Sequence, residues 1–142
     1  MDGYPFAHDV RVRFAETDAQ GIAHHAAFLV WLEEARVAYL DAYVGGYAHI
    51  RERGLEALTT GVHLKYHRSA EFHEVLRIWT RCTGLRGARF RYEYRVERDG
   101  ELVAEGYTTH ATIDRATHRP TRVPAWLADA ISAAEQDQVP AT

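Results

Sequence analysis

Residues 13–36 read RFAETDAQGIAHHAAFLVWLEEAR, a short polar loop containing Gly21, then a long apolar segment rich in helix-forming residues. Asp18 stands in that loop, three residues before Gly21. A carboxylate delivered to the start of a helix meets backbone donors that favour developing negative charge. Upstream, Val10, Val12 and Phe14 alternate with Arg11 and Arg13, the period-two signature of a half-buried strand, so a strand over 10–16 leads into the Asp18 loop. Downstream, 26–44 contains neither Gly nor Pro, and Gly45-Gly46 supplies residues on which helices commonly end in the left-handed conformation. This predicts a helix about 28 Å long at ~1.5 Å per residue.

Projected at ~100° per residue, Phe28, Trp31, Leu32, Ala35, Tyr39, Ala42 and Tyr43 form a broad apolar arc. Leu29, Val30, Val37 and Leu40 fall among Glu33, Glu34, Arg36 and Asp41. A helix apolar almost all round is normally enclosed, which makes it a central core helix rather than a membrane or partner-peptide helix. Beyond a short helical or irregular segment over 47–58, the pattern predicts strands over 59–69, 75–83, 89–98 and 101–114. Phe90, Tyr92, Tyr94 and Val96 alternate with Arg91, Glu93, Arg95 and Glu97, so one face is buried and the other wetted, as antiparallel sheets permit. Asp99-Gly100 marks a two-residue hairpin turn. That turn sets Glu105 opposite Tyr94 on the apolar face, unless a bulge near it shifts the register by one. RPTRVP at 119–124 breaks the sheet, and 125–135 reads as a terminal helix with a polar tail after it.

The 142 residues suit one domain, with its core over about 8–130, and a chain of this size buries about 68–70 % of its unfolded surface without staples. Charged residues make up 26 %, and the formal net charge of -3 argues against a duplex-binding surface. Cys82 is the only cysteine, so it forms no internal disulfide and reads as a small packing residue. No apolar run approaches the ~20 residues of a membrane span, and no basic apolar leader opens the chain; a cytoplasmic protein is expected. One long apolar helix followed by antiparallel strands is buried most economically by wrapping the sheet around it. The fold class expected is α+β, a hot-dog arrangement of about five strands.

VRVRFAETDAQGIAHHAAFLVWLEEAR at 10–36, supported by LKYHRSAEF at 64–72 and RPTRVP at 119–124, resembles the 4-hydroxybenzoyl-CoA thioesterase and YbgC-like branch of the hot-dog superfamily. The resemblance covers residues 8 to 130 or so. It rests on a strand, D-x-x-G, a His or Tyr pair, an aromatic-rich helix and E-x-A-R occurring in that order. It implies hydrolysis of an acyl-CoA thioester, with Asp18 as nucleophile or general base and no metal or cofactor. It also implies subunits that join their sheets, a site lying between two chains, and a dimer or tetramer. Where the branch carries Tyr, this chain has His24.

The chemistry itself asks for a carboxylate or activated water near the thioester carbon and for donors near its oxygen. Gly21 lets the backbone approach a ligand, and the N–H groups around His24 and His25 are unpaired where a helix begins. His25 serves through its N–H, its ring or both. The arginines Arg86 and Arg89, flanking Gly87-Ala88, and Arg119, beside Pro120, are candidates for the CoA phosphates.

Each residue also has a plainer reading. Asp18 is a residue type that bonds its own backbone in turns, the two histidines are ordinary hydrogen-bonded loop residues, and the arginines are solvated charge. Glu33 and Glu34 cannot share a helix face and are read as paired with Arg36 or solvated. The nine histidines include no metal-ligand spacing. The rival functions are a non-catalytic acyl-CoA or lipid-binding module and a hot-dog hydratase or dehydratase.

Overall fold

Residues 3–136 are described by a computed structural model. They run β1 (Phe6–Arg11), a 3-10 turn (Phe14–Glu16), α1 (His25–Tyr43), α2 (Tyr47–Glu52), β2 (Leu55–Tyr66), β3 (Val75–Arg86), β4 (Arg89–Arg98), β5 (Glu101–Asp114) and α3 (Ala125–Gln136). The strands form one antiparallel sheet in the order β1-β3-β4-β5-β2. This is the α+β hot-dog layout, with α1 as the filling. The polar tail expected after α3 lies outside the described residues.

Packing explains α1. Phe28, Trp31, Leu32, Ala35 and Tyr39 are buried in one cluster with Val10, Leu76, Ile78, Tyr92, Tyr94 and Val96 from the sheet and with Val12 just beyond β1. Leu40, which the projection set among the charges, is buried as well, whereas Ala42 is exposed. On the opposite side Leu29, Val30 and Val37 are left 42 %, 50 % and 41 % exposed. Within one chain, therefore, this apolar helix is not enclosed all round.

The first strand departs from expectation. Pairing with β3 ends at Arg11, and Phe14–Glu16 turns as 3-10 helix instead of continuing the strand. The Glu16 carboxylate accepts the Arg13 N–H at 2.8 Å and the Trp31 indole N–H at 2.9 Å. Bending the chain to satisfy those donors turns Glu16 inward and leaves Phe14 76 % exposed against Phe72. β2 begins and ends earlier than the pattern indicated, and β3 runs on to Arg86. β4 and β5 have the bounds expected for them.

The bulge at the β4–β5 hairpin is present. Glu97 pairs with Leu102 and Val96 with Ala104, so Val103 is the extra residue. Gly106, rather than Glu105, then faces Tyr94, and Glu105 stands opposite Arg95 on the outer face, where it bonds His67. A glycine is required at 106, because a Cβ there would collide with the His63 carbonyl oxygen on β2. Asp99 and Gly100 carry φ of 51° and 79°, the pair of positive values that a type I′ turn needs.

Candidate active site

The site is assembled by Glu16. Besides the two donors above it takes a contact from the Arg13 guanidinium at 3.2 Å, and its carbonyl accepts the His24 N–H at 3.0 Å. One acidic residue thus ties the incoming strand, the Asp18 loop and α1 together. Burial works to raise its pKa, but the hydrogen bonds from Arg13 and Trp31 outweigh that and hold the carboxyl below its ordinary value.

Asp18 sits at the head of the turn that follows. Thr17 bridges Ala23 across it, the Gly21 N–H returns to the Asp18 carbonyl at 3.0 Å, and Gly21 has φ 81°. The carboxylate Oδ1 accepts the Gln20 N–H at 2.8 Å, so the turn-residue reading of Asp18 is correct as local structure. Oδ2 has no partner among the described residues. The carboxylate is exposed in the single subunit. The loop is held against the β2–β3 connection by Ala23 N–H to the Ala70 carbonyl at 2.7 Å and by an Ile22–Glu71 bridge.

His24 is the N-cap of α1, its Nδ1 accepting the Ala27 N–H at 3.1 Å. In neutral His24 that arrangement puts the ring proton on Nε2. The His25 ring stacks on Tyr66 with centroids 4.1 Å apart, and the Tyr66 hydroxyl donates to the His25 carbonyl at 3.2 Å. The N–H groups of His25 and Ala26 have no acceptor among the described residues. These are the open donors of the helix start.

Other candidates lie elsewhere. Arg86 and Arg89 pair across the β3–β4 turn, at the far end of a 12-residue strand whose start, Val75, follows the loop that holds Asp18 in place. At ~3.3 Å per residue that end is about 36 Å away. Arg119 bonds Asp114 at the end of β5, also remote. Within one subunit the structure does not bring these arginines to Asp18. Glu33 and Glu34 are exposed and neither forms an ion pair among the described residues. Among those residues no group of His, Cys, Asp and Glu is placed to hold a metal ion.

Two individual residues and one network escaped the pattern reading. Tyr66 ends an unremarkable strand and gave no signal, whereas Glu16 falls in the inward phase of Val10 and Val12 and could have been questioned as a buried acid. The network is a run of polar contacts beneath α1. Arg36 donates to the Tyr94 hydroxyl at 3.3 Å, Tyr94 bonds Thr108 at 2.7 Å, Thr108 bonds His110 Nε2 at 2.7 Å, and His110 Nδ1 lies 3.4 Å from the Thr59 hydroxyl. Burial first, and then the Arg36 charge, push the His110 pKa down to about 4, so this imidazole is neutral at pH 7.

Residues 12–131 match the thioesterase-like superfamily, and the chain belongs to it. An acyl-CoA thioesterase YbgC of Haemophilus influenzae is 26 % identical over 84 % of this chain and 88 % of that one. Among solved structures, the hypothetical protein TT1821 of Thermus thermophilus is 35 % identical with a TM-score of 0.84, covering 90 % of this chain and 98 % of that one. A second Thermus thermophilus protein, a thioesterase complexed with coenzyme A and zinc, is 25 % identical with a TM-score of 0.84, covering 98 % and 100 %. The enzyme class so defined is that of a thioester hydrolase.

Proposed function

We propose that this protein hydrolyses an acyl-CoA thioester to the free acid and CoA, with Asp18 as nucleophile or general base. The observation that carries the reading is the pairing of a carboxylate having a free oxygen with the unpartnered N–H groups of His25 and Ala26 at the start of α1. Those donors suit the oxyanion that forms when the thioester carbon becomes tetrahedral. As base, Asp18 takes a proton from water while the water oxygen bonds to that carbon. Collapse of the oxyanion then breaks the carbon–sulfur bond, and the CoA thiolate leaves. As nucleophile, Asp18 forms an anhydride that water cleaves. The His25 ring, fixed by Tyr66, keeps the helix start in place.

The site is completed by a second copy of the chain. β2 is an edge strand whose backbone has partners on one side only; Val62 on it is 48 % exposed, and Leu29, Val30 and Val37 of α1 are exposed too. Such an edge is a template for pairing. Antiparallel pairing of β2 with its copy about its midpoint sets Lys65 and Tyr66 beside Glu56 and Leu55 of the partner subunit. The end of the partner that carries Arg86, Arg89 and Arg119 then approaches Asp18, where those arginines can meet the CoA phosphates. The tetramer implied by the family resemblance is a pair of such dimers.

Thiol release from a panel of CoA esters tests the chemistry. Asp18→Asn should lower kcat by about 10²–10⁴-fold; a variant as fast as the parent overturns the assignment. Single turnovers in oxygen-18 water separate the two roles: direct attack of water puts one labelled oxygen beside the retained carbonyl oxygen of the first acid released, whereas an anhydride cleaved at the Asp18 carbonyl releases a first acid without label and leaves the label on Asp18.

A further inference from the structure

A cavity of about 420 Å³ lies between α1, α2, α3 and the sheet, and the hydrolytic step as written above does not use it. Its floor is apolar and buried, built from Leu40, Ile50, Phe90, Leu127 and Ile131. Its exposed lining residues are Glu33, Val37 and Thr59, which places the mouth between α1 and the edge strand β2. Glu33 is eight residues beyond His25, about 12 Å along the helix at ~1.5 Å per residue. The cavity therefore does not reach the same chain's Asp18, but its mouth lies on the face that a second copy covers.

The dimensions are those of a ligand site. Small-molecule pockets run from about 300 to 1,000 Å³ and are mostly apolar with a few convergent polar groups. A hydrophobic void of about 150 Å³ holds benzene, so this one has room for a group well beyond a single ring. Its polar side is unusual. Arg36, half-buried in the wall, has no ion pair among the described residues and donates only to the Tyr94 hydroxyl, leaving most of a five-donor guanidinium unused. Thr112, another lining residue and 2 % exposed, has a hydroxyl with no partner.

We propose that this cavity receives the acyl group, and that the acyl group is an extended, mainly apolar one bearing a hydroxyl or ketone oxygen in its distal half, bonded by Arg36. The inference rests on the thioesterase reading and names the substrate class of that site. The acyl group passes from Asp18 of the partner subunit through the mouth at Thr59 and lies along α1. A neutral oxygen suits the pocket better than a carboxylate, because Glu33 and Glu56 line it and oppose the entry of an anion. The bonds from Tyr94 through Thr108 and His110 to Thr59 hold the wall rigid behind Arg36, so the guanidinium is presented to the ligand already oriented.

The test compares butyryl-CoA, decanoyl-CoA and the decanoyl ester with a ketone next to its terminal carbon. The parent should favour the ketone over decanoyl by about tenfold in kcat/KM, the worth of one hydrogen bond to a charged donor. In Arg36→Met that ratio should fall towards one. In Ala57→Phe, which fills the cavity from β2, the decanoyl-to-butyryl ratio should fall about tenfold, with melting curves confirming that both variants fold. A parent indifferent to the ketone, or ratios unmoved in folded variants, overturns the proposal. Calorimetry with the two free acids reads the pocket without turnover. Tighter binding of the keto acid by a protein that releases no thiol would uphold the cavity and sink the hydrolase, and equal binding would sink the cavity.

Discussion

Glu16 shows how much depends on one buried acid. Its carboxylate accepts from Trp31 in the core and from Arg13 at the loop entrance, so removing it leaves the indole N–H of the buried Trp31 without its acceptor. Glu16→Ala should cost ~1–3 kcal/mol in urea unfolding. It should also lower kcat more than it raises KM, because the loop that aims Asp18 loses its anchor. Glu16→Gln keeps an acceptor for Trp31 and should recover most of both. The folded pKa is held below the unfolded one, so this stabilisation is complete above the unfolded value and is lost as pH falls through the folded one. Trp31 fluorescence should report an acid transition that Glu16→Gln lacks. Asp18, Gly21 and the helix start were legible in the sequence because a turn followed by an apolar run is a local pattern. Tyr66 under His25, and the polar run that starts where Arg36 meets Tyr94, were not, since they depend on pairs 41 and 58 positions apart in the chain.

Elements were easiest to read where one interaction dominated. β4 and β5 alternate cleanly around Asp99-Gly100, and even the bulge could be anticipated from the misplacement of Glu105. β1 misled because its alternation runs on through Phe14, while a tertiary bond to Trp31 bends the chain. Gly106 illustrates a constraint that periodicity never reveals. Gly106→Ala drives a Cβ into the His63 carbonyl, a backbone atom that cannot rotate away. The variant should lose at least ~1–3 kcal/mol, or fail to accumulate as folded protein. α3 carries a second device. Glu135 accepts from the Tyr39 hydroxyl and the Cys82 N–H, and burial, outweighing those bonds, raises its pKa. A raised folded pKa gives stability that is present below the unfolded value and lost as pH rises through the folded one. Going from pH 4 to pH 8, the parent should therefore lose melting temperature relative to Glu135→Gln, which cannot ionise.

At the scale of the molecule, the carboxylate proposed for hydrolysis and the cavity proposed for the acyl group lie apart in a single chain. Asp18 lies by the start of β3, the cavity opens beside Glu33, Val37 and Thr59, and Val62 and Leu29 are exposed as well. Pairing two β2 edges would bury that apolar surface and bring each Asp18 to the mouth of the other chain's cavity. Val62→Lys should then yield a folded monomer by sedimentation with little activity, since neither half-site is completed. Complementation is a sharper test. Asp18→Asn retains its cavity and Ala57→Phe retains its carboxylate, so each homodimer is impaired on decanoyl-CoA. Coexpressed in equal amounts, they form heterodimers in which one of the two symmetry-related sites combines the intact carboxylate with the intact cavity. Random pairing restores about a quarter of the parental sites. A site contained within one chain would gain nothing from the mixture, so activity no higher than the mean of the two separate variants would show that carboxylate and cavity do not meet across the interface.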